Sequence, residues 1–183
     1  VIGISGSSGV IYGIRLLQTI SKLGNQDIHL VITNSALRNI EIETDYDVAE
    51  ILKLANTVHQ NNNLAAAISS GSFQTQGMII VPCSMKTLSG IANSYNETLL
   101  IRAADVTLKE KRKLVVVPRE TPLHKGHLEL MTRIVDYGGV ILPPSPSFYH
   151  QPKTINDIID QTVGKILDQF LIEHHLFQRW GTT

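Results

Sequence analysis

The sequence predicts an α/β fold of the flavodoxin-like or Rossmann-like type, a three-layer sandwich in which helices cover both faces of a parallel sheet. Three observations predict it. Short runs of Val, Ile and Leu recur along the chain, segments of helical length separate them, and a cluster of Gly, Ser, Thr or Pro follows each run. Unalternated apolar runs are typical of strands buried on both faces, and their alternation with helices is typical of right-handed βαβ units.

The apolar runs predict five strands, at residues 1–4, 28–32, 78–81, 114–117 and 140–142. Six helices are predicted, at 10–23, 46–55, 85–92, 98–111, 127–137 and 155–172. In the first of them Ile11, Ile14 and Leu17 follow the 3.6-residue helical period. The stretch 56–76 has no clear pattern, and no element is predicted there. Because no repeat or linker interrupts the chain, we expect residues 1–183 to form one domain.

The charge balance argues against nucleic acid and membrane partners. The chain has 16 Lys and Arg residues against 16 Asp and Glu residues, so no general field attracts anionic polymers or lipids. Charged residues make up 17% of the chain, against about 25% in an average soluble domain. We therefore expect some helix faces to be buried between subunits of a homo-oligomer.

Cysteine content and hydropathy set the expected compartment. The single cysteine, Cys83, excludes an internal disulfide and a cysteine-based zinc site. No apolar run reaches the roughly 18 residues of a membrane helix. The sequence begins at Val1 inside a predicted strand and without Met, so we expect a few residues to precede it and no targeting segment. We expect a cytoplasmic protein.

The clusters after the strands predict one binding site. They lie at residues 5–9, 33–35, 82–87, 118–122 and 143–149. In an open parallel sheet these loops share the edge at the carboxyl ends of the strands, where ligands bind. An ordinary abundance of turn residues would explain one or two such clusters, but five favour a site.

The first loop favours a mononucleotide over NAD. Gly3, Gly6 and Gly9 stand between a strand and a helix, where backbone N–H groups can meet a phosphate. Their spacing is not that of the dinucleotide fingerprint, and the second strand ends in Ile32-Thr33 without the acid that would bind a ribose.

The later loops add polar and charged groups. Ser84, Lys86 and Thr87 begin a predicted helix and suit an anion. Cys83 beside them is read as buried packing, since no His is fixed nearby to activate a nucleophile. Arg119 and Glu120 lie between Pro118 and Pro122. From these residues alone, the pair could belong to a functional site or be an ordinary surface ion pair.

Other charged clusters give no metal site. Arg102, Asp105 and Lys109 share one helix face, which by itself indicates a solvated ion ladder. The acids in 41–47 alternate with a period of two, which gathers carboxylates only on a strand, and no strand is predicted there. The His pairs at 124 and 127 and at 174 and 175 lack a third ligand.

Six motifs together resemble, in order, the flavin prenyltransferases of the UbiX type. The match runs from Val1 to Trp180, and its motifs are GISGSSGVIYG, ETD at Glu43, VPCSMKTLSGIA, RAADVTLKEKRKLVVVPRETPL, ILPPSPSFYHQP and the closing RW. This resemblance implies an FMN-binding flavoprotein that attaches a dimethylallyl group from dimethylallyl phosphate to reduced FMN. It also implies a homododecamer, with flavin at subunit boundaries, whose product serves decarboxylases in ubiquinone biosynthesis or aromatic acid breakdown.

The resemblance assigns roles to individual residues. The FMN would be held by Gly6, Ser7, Ser8, Thr33, Ser84, Met85, Lys86, Thr87 and Arg119. The phosphate of the prenyl donor would be bound by Tyr149 and Lys165, with Arg102 and Lys109 from a neighbouring subunit. Ser8, Glu43, Glu120 and Trp180 would surround the reacting prenyl group. Thr33 stands where relatives carry Ser, which keeps the hydroxyl. Lys165 stands where relatives commonly carry Arg, so the positive charge is kept but the two parallel hydrogen bonds of a guanidinium are lost.

The implied reaction joins flavin N5 to the first prenyl carbon as phosphate leaves, then joins the third prenyl carbon to flavin C6. No convincing Asp-rich Mg²⁺ motif is present, so cations are expected to stabilise the phosphate without metal. Trp180 could stabilise an allylic cation. Glu43, Glu120 and the released phosphate held by Ser8 are the candidate bases for the C6 proton, and the sequence does not rank them.

Two other functions fit the same fold. An FMN-dependent decarboxylase of the phosphopantothenoylcysteine type would carry Pro-Ala-Ser-Ala-Asn where this chain has PCSMKT. A non-catalytic flavin carrier would need no cations beyond those for the FMN phosphate, so Lys109, Tyr149 and Lys165 argue against it.

Overall fold

The computed structural model describes residues 1–181 and contains one parallel sheet. Its strands are β1 (Ile2–Ile4), β2 (His29–Ile32), β3 (Thr57–His59), β4 (Gly77–Cys83), β5 (Lys113–Pro118) and β6 (Val140–Ile141). The spatial order is β3-β2-β1-β4-β5-β6, with Ile2 of β1 opposite both Leu30 and Ile79. This is the strand order of the Rossmann type.

Seven helices connect the strands of the described chain. They are α1 (Val10–Leu23), α2 (Asn34–Glu43), α3 (Val48–Leu52), α4 (Met85–Ala92), α5 (Leu99–Lys109), α6 (Lys125–Asp136) and α7 (Ile155–Gln169), and a short 3₁₀ helix covers Ala67–Ser69. Within residues 1–181, none of them has both the length and the apolar character that crossing a bilayer demands.

Two apolar cores lie on opposite faces of the sheet. Successive side chains of a strand point to opposite faces, and β4 shows this directly. Ile79 and Val81 pack with α1, α2, α3 and α7, while Met78 and Ile80 pack with α4, α5 and α6. The predicted three-layer α/β fold is therefore confirmed.

The predicted elements differ from the observed ones mainly between β2 and β4. Helix α2 and strand β3 were not predicted, and the helix expected at 46–55 covers only Val48–Leu52. Helix α2 was not recognised because it begins in a polar run, where Thr33 acts as its N-cap. In addition Ile42 is 76% exposed, so the apolar residues of α2 do not follow a clear helical period. The predicted last helix, 155–172, ends at Gln169.

The site is positioned by the neighbouring strands β1 and β4. From β1 the chain continues to β2 and β3 on one side, and from β4 it continues to β5 and β6 on the other. The loops after β1 and β4 consequently part at the centre of the sheet, and they leave a crevice at the carboxyl ends of the strands.

Candidate active site

A cavity of about 910 Å³ lies in this crevice. The loops after β1, β2, β3 and β4 and the start of α5 line it. Five residues predicted for the FMN site contribute to its wall, namely Gly6, Thr33, Ser84, Lys86 and Thr87. Three of the five predicted loops, those after β1, β2 and β4, thus meet at this cavity, whereas the predicted loops after β5 and β6 contribute no residue to its lining.

Ser5 ties the two central loops together. Its buried hydroxyl accepts a hydrogen bond from the Ser84 N–H (2.8 Å) and donates one to the Pro82 carbonyl (3.2 Å). The Ser5 N–H donates to the same carbonyl at 3.1 Å. This set of bonds holds the first loop in a defined place relative to the start of α4.

The first loop packs closely and leaves one polar atom unsatisfied. A Cβ on Gly6 would lie 2.3 Å from Ser35 Cβ, so glycine is required for the loop to approach α2. Among residues 1–181 the buried Ser7 Oγ has no hydrogen-bond partner. Because an unsatisfied buried hydroxyl is costly, this loop is suited to a polar ligand.

Two helices begin at the cavity with hydroxyl caps. Thr33 Oγ1 accepts from the Ala36 N–H (3.2 Å) at α2, and Ser84 Oγ accepts from the Thr87 N–H (3.3 Å) at α4. The positive ends of both helices therefore face the opening, as anion binding requires. Lys86 is the only Lys or Arg among the described residues that line it.

Helix α1 begins differently, because Glu43 caps it from the end of α2. Its carboxylate accepts hydrogen bonds from the N–H groups of Gly9 (2.8 Å) and Val10 (3.3 Å). Gly9 has φ +95°, a left-handed conformation that glycine adopts without strain. Glu43 is thus brought beside Ser8, although 35 positions separate them in the chain.

Arg119 and Glu120 follow β5 at the same edge of the sheet. The Arg119 N–H donates to the Cys83 carbonyl (3.1 Å), which joins the β5 loop to the end of β4. Burial raises the pKa of Tyr12 in α1, and the nearby Arg119 charge opposes that rise. Both Arg119 and Glu120 are exposed, and neither lines the 910 Å³ cavity.

Tyr149 and Trp180 meet at a second cavity, of about 540 Å³. Their rings are in a T-shaped contact with centroids 5.7 Å apart. Lys165 lies on α7, with Nζ 3.7 Å from Asp168 Oδ2. The predicted residues near the chain's end therefore form a group of their own, distinct from the residues of the larger cavity.

Arg102 and Lys109 lie on α5 and line neither of these two cavities. Arg102 donates to the Ser69 carbonyl (3.1 Å) and to Asp105 (3.0 Å), and Lys109 pairs with Glu110. Of the predicted ion ladder, the Arg102–Asp105 pair is present, whereas Lys109 pairs with Glu110 and not with Asp105. A single chain does not bring these two cations to the FMN residues.

Comparisons with known proteins decide the family. A family model described as Flavoprotein matches residues 1–167. The flavin prenyltransferase UbiX of Thauera aromatica is 57% identical over 180 residues, which cover 98% of this chain and 92% of that protein. UbiX of Escherichia coli K12 is 53% identical over 182 residues, covering 98% of this chain and 96% of that protein. The chain belongs to the UbiX family of flavin prenyltransferases. The predicted family and enzyme class are thereby confirmed.

Solved structures of the family have the same fold. AnUbiX in complex with FMN and dimethylallyl pyrophosphate matches with a TM-score of 0.96 at 44% identity, over 100% of this chain and 96% of that chain. A dodecameric FMN-dependent UbiX-like decarboxylase from Escherichia coli O157:H7 matches with a TM-score of 0.97 at 46% identity, over 99% and 98%. The peptidyl-cysteine decarboxylase EpiD, with a TM-score of 0.63 at 16% identity over 93% of this chain and 96% of that one, shares the fold alone.

Within this family site, Cys83 is unsuited to act as a nucleophile. Its side chain is fully buried, and burial raises the pKa of the thiol far above its usual value. A thiol that stays protonated at neutral pH is a poor nucleophile.

The acids of 41–47 include two helix caps, and the rings of His124 and His127 lie in contact, with centroids 3.6 Å apart. Glu43 caps α1, and Asp47 caps α3 by accepting from the Ala49 N–H (2.6 Å). In the part of the chain from 1 to 181, no three His, Cys, Asp or Glu side chains are grouped as a metal site requires.

Two residues at the site were missed from the sequence. Ser5 was grouped with its loop, but its link to Ser84 depends on the pairing of β1 with β4. Asn61 lines the cavity and holds the start of α5, since its side-chain oxygen accepts from the Leu100 N–H at 3.0 Å. The Asn61-Asn62-Asn63 triple was the available signal, because Asn commonly bonds to backbone N–H groups.

Proposed function

We propose that this protein transfers the dimethylallyl group of dimethylallyl phosphate to reduced FMN and so makes prenylated FMN. The observation that carries the proposal is the cavity at the loops after β1 and β4, which is lined by two hydroxyl-capped helix ends and Lys86; the unsatisfied Ser7 hydroxyl follows Gly6 of its wall. The resemblance to AnUbiX, which is described in complex with FMN and dimethylallyl pyrophosphate, supports it.

The chain's own residues suit FMN. Gly6, Ser7 and Ser8 would hold it from the first loop, and Thr33 from the start of α2. Residues 84–87 would hold it from the start of α4, where Lys86 supplies the positive charge, and Arg119 from the β5 loop. The absence of an acid after β2 favours a mononucleotide over NAD. When bound, reduced FMN supplies the nucleophilic N5 and C6 atoms that take the prenyl group.

The residues around the prenyl group have separate tasks. Trp180 presents an aromatic face that favours a developing allylic cation. Glu43 and Glu120 are the carboxylates proposed to accept a proton, and Ser8 directly precedes Gly9, whose N–H donates to Glu43. Glu43 already accepts two backbone N–H groups, which holds its carboxylate in a fixed orientation.

The departing phosphate requires positive charge. Within one chain Lys165 is the candidate cation and the Tyr149 hydroxyl a candidate hydrogen-bond donor, and Arg102 and Lys109 are proposed to reach the site from a neighbouring subunit. Hydrogen bonds to charged groups contribute about 1.5–3 kcal/mol each. Two or three of them would stabilise a phosphate without Mg²⁺.

The proposed partners follow from this chemistry. The protein is proposed to act as a homo-oligomer, in keeping with the dodecameric relative of Escherichia coli O157:H7. Its product is proposed to serve a prenylated-FMN-dependent decarboxylase in the cytoplasm.

The decisive experiment is an anaerobic incubation of the protein with reduced FMN and dimethylallyl phosphate, followed by mass spectrometry of the extracted flavin. We expect a flavin heavier by one prenyl unit, formed at the same rate in excess EDTA. Dimethylallyl pyrophosphate in a parallel reaction tests the expected preference for the monophosphate. An unchanged flavin mass with FMN demonstrably bound would contradict the proposal and favour the decarboxylase or carrier alternatives.

A further inference from the structure

Asp168 of α7 gathers contacts from the segment that follows the helix. This C-terminal segment, residues 170–181, turns back along α7. Arg179 donates two hydrogen bonds to the Asp168 carboxylate, from Nη2 to Oδ1 (2.6 Å) and from Nη1 to Oδ2 (3.0 Å). His174 Nε2 lies 3.1 Å from the same Oδ1. The Asp168 side chain is 19% exposed and that of His174 only 3%, so this contact is shielded from solvent, whereas Arg179, at 47% exposure, reaches the carboxylate from the solvent side.

Packing fixes the same segment one turn earlier on α7. A Cβ on Gly164 would lie 2.5 Å from Phe177 Cε1 and 2.6 Å from His174 Cε1. The C-terminal segment therefore rests directly on the helix surface at Gly164. The Arg179 guanidinium also lies 5.5 Å from the centre of the Phe177 ring, which joins the packed part to the ion pair.

Trp180 lies next to the contact between Arg179 and Asp168. Trp180 follows Arg179 directly and is 81% exposed, so little packing holds its indole ring. Its described ring contact is the T-shaped one with Tyr149, at 5.7 Å and 88°. Since Arg179 is fixed on α7, the next residue is presented to Tyr149 at the 540 Å³ cavity.

We propose that Asp168 is a positioning residue of the active site, which acts through Arg179 to hold Trp180 against Tyr149. The inference rests on the proposed function, which places these two aromatic side chains around the prenyl donor. Asp168 also lies 3.7 Å from the Lys165 ammonium, so the same carboxylate orients a proposed phosphate ligand. One acid thus links the aromatic and the cationic parts of the substrate site.

Trp180 is the only tryptophan of the chain, which makes the test direct. In Asp168→Asn, which keeps the size of the side chain, we expect the fluorescence anisotropy of Trp180 in the purified full-length protein to fall. The matched control is Asp160→Asn. Asp160 lies on the same helix, is 18% exposed and accepts two hydrogen bonds from Arg15 of α1 (2.5 and 2.9 Å), but it has no part in the C-terminal segment. Its variant should leave the anisotropy unchanged.

Activity gives the second readout. For Asp168→Asn we expect kcat to fall roughly ten- to a hundredfold, as misplacement of groups at a site by about 1 Å does. The Kd of FMN should be unchanged, because five of the residues proposed to hold FMN line the larger cavity and Asp168 does not. Asp160→Asn should keep the wild-type kcat. Equal anisotropy and equal kcat in the two variants would overturn the proposal.

A third variant keeps the test valid if Asp168→Asn does not fold. Arg179→Gln removes the same contact from the exposed side, where the arginine side chain is 47% accessible and no core packing is lost. It should reproduce both effects, and wild-type values in this variant would refute the inference. Lowered anisotropy with wild-type kcat would confirm that the Asp168–Arg179 contact holds Trp180, but it would contradict the proposed contribution of Trp180 to the reaction. A failure of this inference and a failure of the proposed function are therefore distinguishable.

Discussion

One substitution can separate the helix-capping role of Glu43 from its proposed catalytic role. Glu43 caps α1 through hydrogen bonds from Gly9 and Val10, and it is a candidate base for the proposed reaction. Glu43→Gln keeps an acceptor oxygen for the cap but removes the negative charge and the ability to take a proton. We expect a small loss of stability and a large loss of activity.

The expected magnitudes follow from the geometry. A surface carboxylate at a helix N-terminus contributes about 0.3–1 kcal/mol through its charge. For a chain of this length that corresponds to a fall in Tm of roughly 1–4 °C. Loss of a general base lowers kcat by about 10²–10⁴-fold. The two effects are thus far apart in size.

The assay combines thermal unfolding with the rate of flavin prenylation. Asp47→Asn is the control, because the Asp47 carboxylate also caps a helix start, by accepting one N–H of α3, and is not among the proposed catalytic residues. It should show a similar change in Tm and the wild-type rate. If Glu43→Gln behaved like Asp47→Asn in both measurements, Glu43 would be a helix cap and not a base.

Three further predictions concern other parts of the molecule. Burial raises the pKa of the Cys83 thiol, so iodoacetamide at pH 8 should modify the urea-unfolded chain and not the folded one. Rapid alkylation of the folded protein would contradict this. Arg179 and His174 hold the pKa of Asp168 below its ordinary value of 3.8, so the stability that Asp168 adds is complete above that value and is lost as pH falls through the lowered pKa. The difference in urea midpoint between wild type and Asp168→Asn should therefore stay constant down to about pH 4 and shrink below it, and a difference that shrinks already near neutral pH would refute this. Finally, Glu120→Gln and Lys109→Ala, each inactive alone, should recover part of the activity when dissociated and reassembled together, whereas no recovery in verified mixed oligomers would place Lys109 in its own subunit's site or in a surface ion pair.

The strands of the central sheet were predictable because burial on both faces leaves a strong sequence pattern. The runs at 78–81 and 114–117 lie within β4 and β5, which have neighbours on both edges. Strand β3 lies at the edge of the sheet, and its Val58 is 43% exposed. With three residues and one partner strand, it leaves no apolar run that a sequence pattern could detect.

The candidate site was predictable as far as it depends on loops after strands. Gly6, Thr33 and Ser84 were expected at one edge, and they line one cavity. The contact of Glu43 with α1 was not predictable from residue types, since it depends on how α2, a helix absent from the prediction, packs beside α1. Likewise the pairing of Lys109 with Glu110 instead of Asp105 depends on side-chain geometry that helical spacing alone does not set.

Each cation proposed to bind the donor phosphate is already paired with an acidic side chain of the same chain. Glu43 already occupies the first N–H groups of α1, so a phosphate placed there would meet a carboxylate. The cations proposed for the prenyl phosphate have acids of their own: Arg102 has Asp105, Lys109 has Glu110 and Lys165 has Asp168. In the proposed function, binding of the donor phosphate would therefore replace one anion by another at each cation. Ion pairs that are open to solvent on at least one side are weak, about 0–1 kcal/mol. We therefore expect a doubly charged phosphate that contacts several cations at once to compete successfully with the separate carboxylates. We expect selectivity for phosphate over simple anions to follow from these simultaneous contacts, without a metal.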